Sequence, residues 1–192
     1  MLSLASFLWL VVSSAADPCV NRVGNAVSSP DGHVQVFIAR DPQRVDATAL
    51  GDVAHEDLCL VRDGAAPRLL LSGRGEAPNV GPDKTLASFA QLLFSPDGAT
   101  LFFTTTGWVT APAAHSVELA TGQERFLFDG AITLPLAKGR YLATHFRLDD
   151  AFPVTSPKYR GRIESWSIVT RDGRTVKRVS EKEAKALSAR WK

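Results

Sequence analysis

The hydrophobic positions fall in short runs rich in Val, Ile, Leu, Phe and Thr, broken at close intervals by Gly, Pro and Asp. Such runs predict strands, because β-branched and aromatic side chains fit a pleated, half-buried surface. Two of the breaks are the same tetrapeptide, Ser29-Pro30-Asp31-Gly32 and Ser95-Pro96-Asp97-Gly98. Pro presets φ, Asp hydrogen-bonds its own backbone and Gly accepts positive φ, so each predicts a tight turn into a strand. The recurrence marks an internal repeat.

Three segments share one grammar. The first runs from a strand at 26–28 through the 30–32 turn to 33–39, then a polar loop, 57–62, Asp63-Gly64 and 68–72. The second has strands at 89–94, 101–105, 116–120 and 124–128, with tight turns at 96–98 and Thr121-Gly122. The third has strands at 132–136, 141–146, 164–170 and 175–179, with turns at Lys138-Gly139 and Asp172-Gly173. Each unit is four strands joined tight, long, tight. Residues 180–191 read as a helix, with Ser180 as N-cap, Glu183 completing a capping box, and Ala184, Leu187 and Trp191 on one face.

A four-stranded repeat with Ser-Pro-Asp-Gly before its second strand resembles the TolB-type, WD40-like β-propeller repeat. Residues 94–98 through Thr121-Gly122-Gln123-Glu124-Arg125 match it best, and the third unit, lacking Pro-Asp, departs from it. The 141–147 run and Ser165-Trp166-Ser167 before Asp172-Gly173 look like small uncharacterised exported bacterial proteins. The resemblance implies a fold and a compartment, and no activity. Closed propellers have four or more blades. The expected fold is therefore all-β: three four-stranded propeller-like blades in an incomplete, open propeller, with a short C-terminal helix. Such a stack stands as an open wedge, pairs with a second copy, or is completed by another protein; the helix is a candidate cap for the last sheet.

Length and composition refine this. The chain has 192 residues. Residues 2–12 are almost wholly apolar and small residues follow, which marks 1–16 as a signal peptide and 17–192 as a single domain. No later segment is apolar enough to span a bilayer. The protein is expected to be exported, periplasmic or secreted. Cys19 and Cys59 are then either a disulfide, worth roughly 4 kcal/mol on the chain-entropy model, or two buried thiols. A net charge of +2 is too small to suggest nucleic acid. From Arg171 to Lys192, eight basic residues face three acidic ones, a pattern of a solvated helix face or of a surface for acidic partners.

Candidate chemistry is sparse. In an up-and-down unit the tight turns share one edge, and the long loops, 41–56, 74–88, 106–115 and 147–162, share the other. Elaborated loops on a rigid β scaffold are where binding residues gather. The candidate binding residues there are Trp108, His115, His145, Asp149, Phe152 and Tyr159. His115 and His145 fall near strand ends facing that edge. His55, among Asp52, Glu56 and Asp57, reads as part of a solvated acidic loop, since neighbours on a strand point to opposite faces. No spaced His/Cys/carboxylate set, Gly-rich phosphate loop or nucleophile elbow occurs, so no metal, cofactor or catalytic residue is assigned. The expected role is binding of a protein or envelope component. A hydrolase or lyase on the same face, and a half-propeller completed as a homodimer, are the other readings.

Overall fold

The computed structural model describes residues 17–48, 51–75, 81–107, 111–148, 151, 155–158 and 160–190. The signal-peptide reading of 1–16, and Trp191, lie outside them. The strands are β1 (Arg22–Ser28), β2 (Val34–Thr48), β3 (Gly51–Arg62), β4 (Arg68–Ser72), β5 (Ala90–Phe94), β6 (Thr100–Thr106), β7 (Pro112–Glu118), β8 (Glu124–Leu136), β9 (Arg140–Leu148), β10 (Arg162–Thr170) and β11 (Thr175–Val179). One helix, α1 (Glu181–Ala189), follows. All neighbours pair antiparallel. β1–β4 form one sheet in chain order, and β5–β11 form a seven-stranded sheet, also in chain order. The mostly β, propeller-like architecture expected from the repeat is the one found.

The repeated turns are built alike, atom for atom. Gly32 N donates to Ser29 O and Gly98 N to Ser95 O, both at 2.9 Å. Ser29 Oγ donates to Asp31 Oδ1 at 2.5 Å and accepts from Val34 N at 2.9 Å. Ser95 Oγ does the same with Asp97 Oδ1 at 2.6 Å and Thr100 N at 3.0 Å. The Ser is thus spent on closing the turn and launching the next strand. Gly98 sits at φ 67°, where an L side chain is strained.

The second and third units were expected as separate sheets, with strands at 124–128 and 132–136. They share β8 instead. Its first half pairs with β7, from Glu124 opposite Val117 to Asp129 opposite Ala113, and its second half with β9, from Gly130 opposite His145 onward. The change of partner falls at Gly130, with φ 150°, where a Cβ would run into the Thr144 carbonyl oxygen. A residue without a side chain lets the strand pass from the outer position of one unit to the inner position of the next.

The core lies between units. Val34, Val36, Leu58, Leu60 and Leu70 of the first pack on Phe89, Phe94, Leu101, Phe103 and Val117 of the second. Phe102 of the second packs on Tyr141, Ala143 and Val169 of the third, its ring 4.6 Å from Tyr141 and edge-on. Period-two alternation does this: Leu101 and Phe103 face back, Phe102 faces forward.

The two outer faces are covered differently. Phe37, Phe103 and Ala143 are each the fourth residue of their unit's second strand, opposite Cys59, His115 and Ser167, and share the backward face. His115 and Ser167 are buried by the preceding unit. Cys59 has no preceding unit, and a disulfide to Cys19 pins the N-terminal segment over it, burying Phe37, Ala39 and both cysteines. At the other end α1 packs against β10, with Ala184 buried and Leu187 partly so. Ser180 caps α1 by accepting from Glu183 N at 3.2 Å, but the expected capping box is half made: Glu183 Oε1 accepts from Lys177 Nζ at 2.7 Å instead.

Candidate functional site

The connection between β2 and β3 and the one that follows β4 lie together on one edge of the stack. The expected loop at 41–56 is an antiparallel ribbon: β2 and β3 continue pairing as far as Thr48 opposite Gly51, past a bulge between Asp41 and Val45. The chain after β4 lies against this ribbon, Gly75 beside Asp46 and Ala47, and then pairs Arg74 with Leu86. Arg74 Nε donates to Lys84 O at 2.6 Å, and Thr105 Oγ1 to Thr85 O at 3.3 Å. The turns of the three units meet on the opposite edge, where Gly98 adjoins Ser29 and Pro30, and Arg171 is paired with Asp97.

Beneath the long-loop edge runs a buried polar network that the sequence does not announce. His55 is 1 % exposed, with Nδ1 2.9 Å from Asp46 Oδ2 and Nε2 3.2 Å from Asp57 Oδ1. Asp57 Oδ1 also accepts from Ser72 Oγ at 2.8 Å and Gly73 N at 3.1 Å. Glu56, on the other face of β3, accepts from Arg40 through Oε1 (2.6 Å from the terminal nitrogen) and from Phe89 N through Oε2 at 2.9 Å. The expected solvated acidic loop is therefore a correction: His55, Glu56 and Asp57 are all buried. The reason is the ribbon, whose Asp46 folds back over His55 while the crossover seals Glu56. Opposite-face alternation holds, since His55 and Glu56 take separate partners. The carboxylates at His55 face its two ring nitrogens, so they are not converged on a common point.

His115 is fully buried, its Nδ1 2.7 Å from Glu124 Oε1 and its Nε2 3.1 Å from Thr105 Oγ1. Phe103 stacks on it at 5.4 Å. Arg74 completes the chain with a 3.0 Å bond to Glu124 Oε2. Burial pushes the Glu124 carboxyl up, but the bonds from His115 and Arg74 outweigh it and hold it below the usual range. The Thr–His–Glu order resembles a nucleophile–base–orienter set. Its hydroxyl is 2 % exposed and its imidazole 0 %, however, so no substrate reaches it and the network works as a tie between the first two units.

His145 does not meet His115. Its Nε2 lies 2.5 Å from Ser167 Oγ, and its ring lies 4.3 Å from that of Phe128. Burial first, and then the Arg178 charge, hold its pKa below the ordinary imidazole value. The other four candidates, Trp108, Asp149, Phe152 and Tyr159, lie outside the described residues. Sequence reasoning missed Arg40, Asp46, Arg74, Glu124 and Ser167 as functional partners. The spacing of His55 and Asp57, two apart on one strand and hence on one face, was the available signal.

A cleft opens at the base of the ribbon. It has a volume of about 270 Å³ and is lined by Asp17, Asn21, Arg40, Asp41, Arg44 and Asp57, among others. It joins the disulfide-tied N-terminal segment to the base of the ribbon, and its lining mixes both signs of charge. A cleft of about 310 Å³ on the turn edge, between the second and third units, has its charges paired internally: Arg171 with Asp97, and Arg174 with Asp172 at 2.8 Å.

No protein-family model matches the chain, and no curated protein matches it. Solved structures do match in fold. The acylaminoacyl peptidase of Pyrococcus horikoshii, in its orthorhombic crystal form, matches with a TM-score of 0.51 at 9% identity, over 85% of this chain and 26% of its own. The uncomplexed form of that peptidase gives 0.50 at 10% identity, over 82% and 24%. The putative TolB of Agrobacterium tumefaciens gives 0.49 at 14% identity, over 86% and 49%. The chain thus spans about a quarter of the peptidase it matches and under half of that TolB. At such identities the likeness is one of fold alone.

Proposed function

We propose that this chain is an exported binding module whose long-loop edge engages a protein or an envelope component. The observation that carries this reading is the unequal elaboration of the two edges. Among the described residues, one edge holds tight turns, two of them closed by their own Ser, Asp and Gly. The other carries a ribbon that outruns its sheet, a long crossover and the cleft at Asp17, Arg40 and Arg44. A buried polar network under that edge fixes the ribbon and crossover to the scaffold, which lowers the ordering cost of binding. The mixed charge of the cleft suits a polar partner surface more than an apolar ligand. The Cys19–Cys59 bridge fits an oxidising compartment, and residues 1–16 serve in this reading as the signal that delivers the chain there.

Site-specific photo-crosslinking in intact cells tests it, with the probe at Gln43 or Arg44 on one edge and at Asp97 or Asp172 on the other. A discrete adduct from the first set and none from the second is the expected result. Equal adducts from both edges, or adducts only from the turn edge, would overturn the reading. Mass determination of the N-terminus of the exported chain, expected at Asp17, checks the compartment separately.

A further inference from the structure

Where the third unit faces the second, its outer strands leave a groove of about 220 Å³ lined by His145, Ser165, Trp166, Ser167, Thr175 and Arg178. Register explains the convergence. His145 lies opposite Ser165, and Ser167 opposite Arg178, so one sheet face carries all four. Trp166, between Ser165 and Ser167, turns its ring to the opposite face beside α1, and the other five side chains each carry a hydrogen-bond donor and no carboxylate.

Arg171, Arg174, Lys177 and Lys185 each hold an acidic partner: Asp97, Asp172, Glu183 and Glu181. Among the described residues Arg178 has no carboxylate partner, although it stands on the same strand as Lys177. Ser167, 2 % exposed, forms the floor of the groove with its Oγ held by His145. Burial and the Arg178 charge both disfavour a second positive charge on His145, so the imidazole is a neutral partner that can orient the Ser167 hydroxyl. Against roughly 30 Å³ for a liquid water, the groove has room for a small head group and a short substituent.

We propose that this groove is an oxyanion-binding site, in which Arg178 supplies the charge and Ser165, Ser167 and Thr175 supply directed hydrogen bonds to a carboxylate or phosphate head group. Guanidinium binds such groups through two parallel N–H bonds, and hydroxyls on a rigid sheet add geometry without adding charge. The site goes beyond the binding role of the long-loop edge and stands or falls without it.

Amide and side-chain NMR of the full chain, titrated separately with inorganic phosphate, sulfate and acetate against chloride at equal ionic strength, tests it. Saturable shifts confined to the neighbourhood of His145, Ser165 and Arg178 are expected with at least one oxyanion. Arg178→Gln should weaken that binding at least tenfold with the spectrum otherwise retained, because Arg178 is exposed on β11. Arg174→Gln, which removes an arginine already paired with Asp172, should leave it unchanged. Saturation by phosphate alone assigns a phosphate head group, and saturation by acetate assigns a carboxylate. Absence of saturable shifts with all three, equal shifts with chloride, or equal loss in Arg178→Gln and Arg174→Gln would overturn the proposal.

Discussion

At the scale of single residues, polar side chains in this protein act as fasteners between units. His115 is the clearest. Its replacement by Leu keeps the volume near Phe103 and Phe126 but leaves the partly buried Glu124 with one partner fewer. The expected cost is about 1–3 kcal/mol in urea unfolding, against under about 0.5 kcal/mol for Glu118→Gln on the exposed rim. Asp97 gives a pH signature. The Ser95 hydroxyl and then the Arg171 guanidinium hold its carboxyl at about 2, below the ordinary 3.8. A carboxyl depressed by folding stabilises the native state above about pH 4, and that contribution is lost as pH falls through about 2. Half-exposed, it is worth under about 1 kcal/mol. In carbon-detected NMR, Arg171→Gln should raise the Asp97 midpoint yet leave it below 3.8, since Ser95 and the Ala99 amide remain. Turn chemistry of this kind was readable in advance, because Ser-Pro-Asp-Gly satisfies itself within a few residues. His55 was not: its partner Asp46 arrives through a ribbon whose pairing no local pattern specified.

At the scale of elements, the sequence pattern located nearly every strand and α1, and it erred where one element does two jobs. Gly130 is an ordinary residue in the sequence, and nothing local separates a loop glycine from one that lets a strand change partners. The structure makes it decisive. Gly130→Val places a branched side chain against the Thr144 carbonyl, and a loss of about 3 kcal/mol or more is expected. Paired amide signals should weaken on both halves of β8 together. If the two halves were merely adjacent strands joined by a loop, the substitution would be tolerated. The ribbon at 41–56 misled for the complementary reason: its polar composition reads as loop, while its backbone pairs across the bulge at Asp41 and Val45.

At the scale of the molecule, a stack of sheets must do something with its first and last faces. Here a disulfide-tied segment covers one and a helix the other. The oxidised chain is therefore expected to sediment as a monomer. Cys19→Ser with Cys59→Ser should cost about 2–4 kcal/mol and, by uncovering Phe37 and Ala39, promote self-association that light scattering detects. A stable dimer of the oxidised chain would instead favour the half-propeller completed by a second copy. The shared β8 has a mechanical consequence. A hydrogen-bonded strand running through two units is a stiff joint, whereas the first unit meets the second mainly through side chains and one short crossover bridge. Breathing of the two sheets is thus confined to a single seam, and the amides should exchange in two cooperative blocks divided near residue 74 rather than in three. That seam lies beneath the ribbon and the crossover, so the part of the scaffold that flexes is the part that carries the elaborated edge.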